Sequence, residues 1–148
     1  MKVQPRLRSA IVVLLSFVCV SVFSADSALK ESPANNKKIL KLIAEVYDKP
    51  LDPATQEKLR VILKYSEAAE KILVSINVGA LDLNDKHATL YMGFLIAGAT
   101  KFDLENPKLA NNKNGADQME IDRFLKRAYD QLKESDATYS SEFYGKLK

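Results

Sequence analysis

His87 is the only histidine among 148 residues, which removes zinc sites built on histidine pairs and any dyad of two imidazoles. With Asp82 or Asp85 as an orienting carboxylate it could act as a lone general base. One imidazole with no nucleophile beside it defines no reaction, and its position just ahead of an apolar run reads as a helix first turn. Glu67, Glu70, Glu120 and Glu142 are the carboxylates a glycosidase-like pair would draw on. They fall mostly on charged helix faces beside lysine or arginine, where solvated ion pairs account for them.

Asp82 to Asp85 and Asn111 to Asp117 are rich in oxygen ligands. Setting Gly115 at the turn glycine of a calcium-binding helix-loop-helix puts Ala110 at the first ligand position and Ile121 at the last, where carboxylates are required. The candidate fails on both. No Gly-x-Ser-x-Gly elbow is present, and the Gly93 to Gly98 interval lacks the Gly-Lys-Ser/Thr ending of a phosphate loop. The residues therefore assign no catalytic group, no metal ligands and no cofactor. What remains is recognition. Tyr139, Phe143 and Tyr144, with Tyr47 or Tyr65, have the composition of an interface hot spot, although the core side of a terminal helix asks for the same residues. Asn111, Asn112 and Asn114 lie in a polar connection and complete the candidate partner-binding set.

The frame for these groups follows an export segment. Lys2, Arg6 and Arg8 precede fourteen uncharged residues from Ala10 to Phe23, and small residues close the run. Crossing a bilayer takes about 20 apolar residues, so the pattern predicts a cleavable signal over 1–24, with no stable membrane span after cleavage. Lipid attachment at Cys19 is disfavoured by Val18 before it and by the apolar Val20, Val22 and Phe23 after it. Three of the 22 basic residues leave with the signal and none of the 19 acidic ones do, so the remainder carries 19 of each. An uncharged balance gives no footprint for nucleic acid, which needs a basic face to displace counterions. Cys19, the only cysteine, leaves as well. A disulfide-free exported domain suits a bacterial periplasm.

Residues 25–36 read as a flexible lead-in, with Ser32-Pro33 able to cap an early turn, and 37–148 as one helical domain. Ile39, Leu42, Ile43, Val46 and Tyr47 recur at helical spacing up to Asp48-Lys49-Pro50. Asp52-Pro53 then opens a long helix expected over 53–78, with Leu59, Ile62, Leu63, Ala69, Ile72, Leu73 and Ile76 inward, a Glu67/Lys71 pair outside and Gly79 as its stop. Residues 88–100 are apolar around the whole circumference, which predicts a central helix wrapped on all sides. Residues 103–116 read as a loop. Asp117 and Glu120 open the clearest helix, with Ile121, Phe124, Leu125, Ala128, Tyr129 and Leu132 as its stripe, and a short helix follows near the end. The set of Phe94, Ala97 and Gly98 facing Leu125 and Ala128 is similar to a tetratricopeptide hairpin, yet no second copy exists and the pair reads as ordinary hairpin packing.

The fold expected is all-α, a compact bundle of four to five helices around 88–100. The function expected is an exported periplasmic protein that binds another protein of the envelope, as an adaptor, inhibitor or immunity-type protein. A small-ligand carrier with a pocket near Tyr91, Met92 and Phe94, where the glycines of that helix leave room, is the alternative, and a carboxylate-based cell-wall hydrolase stands third.

Overall fold

The computed structural model describes residues 29–70, 72, 74, 78–110 and 116–147, so the expected signal over 1–24, together with Lys71, Leu73, Ile76, Asn111, Asn112 and Asn114, lies outside the described residues. Within them the chain is all-helical. Six helices run in order: α1 Pro33–Asp48, α2 Thr55–Ala68, α3 Ala88–Glu105, α4 Pro107–Ala110, α5 Gln118–Ser135 and α6 Glu142–Gly145, with a 3-10 turn at Val78–Ala80. No helix among the described residues is long and apolar enough to cross a membrane.

Local chemistry explains most of the boundaries. Ser32 caps α1 by accepting from the Asn35 amide at 3.2 Å, with Pro33 in the first turn where its missing N–H costs nothing. The helix therefore begins inside the segment expected to be a lead-in. It ends at Asp48, and Lys49 takes a non-helical conformation before Pro50. Asp52 folds a turn by accepting from the Ala54 amide at 2.8 Å, and the buried Thr55 hydroxyl donates to the Lys49 carbonyl at 2.6 Å. These bonds tie the start of α2 to the end of α1.

Two expected boundaries are corrected. The long helix over 53–78 stops at Ala68, and Ala69 is extended at φ −82° and ψ 123°. No helix breaker stands there. Ser66 instead donates its hydroxyl to the Leu63 carbonyl at 2.7 Å, a back-bond that competes with the helical ladder, and the turn away buries Ala69 and Ile72. Gly79 accordingly lies in the 3-10 turn and not at the end of that helix. The loop expected over 103–116 is helical through Glu105 and again over Pro107–Ala110, with the break at Asn106, which Pro107 forces out of helical geometry.

The apolar helix α3 packs against α1, α2, α4 and α5. Phe94, Leu95 and Ala97 are sealed against Ile39, Ile43 and Val46 of α1, Ile62 of α2, and Leu125 and Leu132 of α5 in one core cluster. Each of these side chains larger than alanine contributes about 1.5–3 kcal/mol by leaving water. Tyr47 adds a directional tie, because its ring stacks on Phe94 at 5.2 Å and its hydroxyl donates to the Phe94 carbonyl at 2.9 Å. Asp117 caps α5 by accepting from the Glu120 amide at 3.0 Å, and Ile121, Leu125, Ala128, Tyr129 and Leu132 are buried as their spacing requires.

Candidate functional site

The C-terminal aromatics divide. Tyr144 and Tyr139 are buried, while Phe143 is 38% exposed with its ring edge against Tyr144. Tyr139 joins Tyr91 of α3 in a hydrogen-bonded chain, and Tyr144 packs beside it. Tyr139 donates to Asp85 Oδ2 at 2.8 Å, so its proton is committed there, and Tyr91 must donate to the Tyr139 hydroxyl at 2.9 Å. Tyr144 stacks on Tyr91 with centroids 3.6 Å apart and accepts from the Asp82 amide at 3.0 Å. Burial raises the pKa of Tyr91 and Tyr139 well above the ordinary phenol value and pushes Tyr144 up to about 12. These phenols are therefore fixed in the neutral form. Their chemistry is structural, fastening 139–144 to the loop ahead of α3.

His87 belongs to the same fastening. It stands at the N-terminal boundary of α3 without a side-chain cap bond, and Asp85 accepts from its backbone amide at 2.7 Å. The imidazole meets the Tyr139 ring edge-on at 4.8 Å, and its Nε2 is buried with no hydrogen-bond partner. The carboxylate at Asp85 thus serves Tyr139 and the backbone, and the base-plus-orienter arrangement does not form. Lys86 bonds Asp136 at 2.9 Å, and Asp136 is held down to about 2 by the Thr138 hydroxyl and then Lys86.

Burial, then the charge of Lys86, lowers the His87 pKa against the opposing pull of Asp85 and Asp136. The unfolded chain therefore takes up a proton first. Stability present above the ordinary value of 6.5 is lost as pH falls through it toward the folded-state value. We expect thermal unfolding to show a lower midpoint at pH 5.5 than at pH 7.5, with a smaller drop in His87→Gln. Equal drops in the two proteins would remove His87 from the account.

The candidate glutamates do not come together as a pair. Glu120 pairs with Arg123 on α5, and Glu142 bonds Lys146 at 2.6 Å, while Glu67 and Glu70 are exposed. Among the described residues no three of His, Cys, Asp and Glu converge on a common point.

The concave feature lies elsewhere, between α2 and α3. Gln56, Leu59, Arg60 and Leu63 form one wall, and Thr89, Met92, Gly93 and Ile96 form the other. Both sets run at i, i+3, i+4 and i+7, which is one stripe of a helix. Leu83, 58% exposed, also lines the cleft. The cleft encloses about 270 Å3. A second, more open depression between α1 and α5, about 400 Å3, is lined by the charged Glu45, Asp48 and Arg127 and has few apolar walls.

No family model, curated protein or solved structure matches the chain. The pocket expected near Tyr91, Met92 and Phe94 is only partly where sequence reasoning put it. Met92 lines the cleft, but Tyr91 and Phe94 are fully buried in the core. The expected room above the glycines is also corrected: Leu59 Cδ1 stands 2.7 Å from where a Gly93 Cβ would be, and the Phe124 ring covers Gly98. The signal that could have found the cleft was the stripe through Thr89 and Gly93, the weakest apolar side of α3.

Proposed function

We propose that this protein is exported and works by binding another protein of the envelope, with the cleft between α2 and α3 as its docking site. The observation that carries the reading is the pair of facing stripes, apolar through Leu59, Leu63, Met92 and Ile96 and polar at Gln56, Arg60 and Thr89. Apolar floors with a polar rim are how helical surfaces hold partner side chains. The basic-then-apolar segment ahead of residue 25 supports export, and the packing of α3 among its neighbours supports a bundle built around it. The buried tyrosines, and the pairing of Glu120 with Arg123 and of Glu142 with Lys146, favour binding over catalysis.

A photo-crosslinking amino acid at Leu83, beside the cleft, and another at Leu109, 50% exposed and outside its lining, test this in the natural envelope. A discrete protein adduct is expected from position 83 alone, and it should disappear when Thr89→Trp fills the mouth. Absence of an adduct, or the same pattern from both positions, would overturn the proposal. The cleft volume favours a small apolar ligand as the second reading, since an apolar cavity of about 150 Å3 suffices to bind benzene. Native mass spectrometry of protein taken from its host would show that ligand as added mass, and a bare chain would count against it.

A further inference from the structure

The geometry points to the chemistry of the occupant: a short amphipathic helix of the partner whose apolar side chains enter the cleft and whose carboxylate takes Arg60. This deepens the docking reading and rests on it.

Length is the first argument. Each wall runs from i to i+7 along its helix, from Gln56 to Leu63 and from Thr89 to Ile96, about 10 Å at 1.5 Å per residue. Side chains at i, i+3 or i+4, and i+7 of a helix laid along the groove span the same distance. Depth is the second. Leu59 Cδ1 covers Gly93, 2.7 Å from where a Cβ would stand, so the floor there is apolar side chain and not bare backbone. With about 270 Å3 available, against about 150 Å3 for a benzene-sized guest, the cleft accepts two large apolar side chains and no broader surface.

Charge selects among such helices. Among the described residues Arg60 is the only charged one in the lining, and exposed Lys64 follows it one turn along α2. The Arg60 guanidinium bonds Glu57 Oε2 at 2.9 Å, but the two side chains are 46% and 62% exposed. An exposed pair of this kind is weak, so a partner carboxylate can displace Glu57 at little cost. It then gains a planar donor fork at the rim of an apolar site. A basic helix would meet repulsion from the same two cations.

The test selects binders to the purified protein from a displayed library of helix-forming peptides about 16 residues long, with one face randomised. Enriched sequences should carry apolar residues at i, i+3 or i+4, and i+7, flanked by Asp or Glu. Arg60→Gln should weaken the best binder about three- to fivefold, and Arg60→Glu should favour the same peptide with its acid changed to lysine. Thr89→Trp should abolish binding. Affinity indifferent to both Arg60 variants, enrichment of basic peptides, or decanoate occupying the cleft while no peptide does, would each overturn the inference. A protein adduct from position 83 together with peptides indifferent to Arg60 would leave the docking site standing and remove only the acidic helix.

Discussion

Truncating Tyr91 to alanine is expected to lower folding stability by about 3–5 kcal/mol, the range for a fully buried aromatic ring. Tyr91 is completely inaccessible, and its ring lies nearly parallel to Tyr144, 18° between planes. Its loss empties the space between α3 and the C-terminal segment and removes the surface on which Tyr144 rests. Tyr91→Phe keeps the ring and deletes only the hydroxyl. Because Tyr139 still donates to Asp85, that change should cost about 1 kcal/mol. Urea unfolding separates the two variants. In Tyr91→Ala, amide exchange should accelerate more over 136–147 than in α1, whose Tyr47 stacks on Phe94 and not on Tyr91. Near-native stability of Tyr91→Ala would show that the aromatic stack contributes little.

The two glycines of α3 are expected to respond in opposite ways to the same substitution. A Cβ on Gly98 would lie 2.5 Å from Phe124 Cδ2 and 2.8 Å from Phe124 Cβ. The base of that side chain cannot swing away, so α3 and α5 must separate. Overpacking of this kind costs about 1–3 kcal/mol, only partly offset by the roughly 1 kcal/mol that alanine gains over glycine in a helix. Gly98→Ala should therefore be destabilised. At Gly93 the nearest atom is Leu59 Cδ1, the far end of a flexible side chain beside an open cleft. Leu59 can rotate, the propensity gain survives, and Gly93→Ala should be neutral or more stable while narrowing the cleft. Denaturant midpoints for the pair decide the matter, and equal losses would refute the contrast.

Much of the helical frame was legible because it rests on local rules. The stripe from Ile121 to Leu132 and the Asp117 cap needed only spacing and a side-chain acceptor, and Pro50 ended α1 by removing its own N–H. Where the reading failed, a nonlocal gain had outweighed propensity. Ala69 leaves helical geometry with no breaker beside it because the turn buries Ala69 and Ile72. The expectation that α3 is wrapped on all sides failed along Thr89, Met92 and Gly93, since an all-apolar helix cannot announce which of its faces lacks a neighbour. The notional recognition tyrosines show the same limit: Tyr139 and Tyr144 have the composition of an interface and the placement of a core.

From its sequence alone this protein is determined to be helical, to carry a basic-then-apolar segment over residues 2–23, and to lack the residues for histidine-pair metal sites or for thiol chemistry beyond Cys19. These follow from composition and periodicity, which act through the chain's own backbone. Only the tertiary structure decided that Asp85, Tyr139 and Tyr91 form one hydrogen-bonded chain and that Leu59 and Met92 face each other across a cleft. Both depend on contacts between residues far apart in sequence, where the free energy of burial chooses which faces meet.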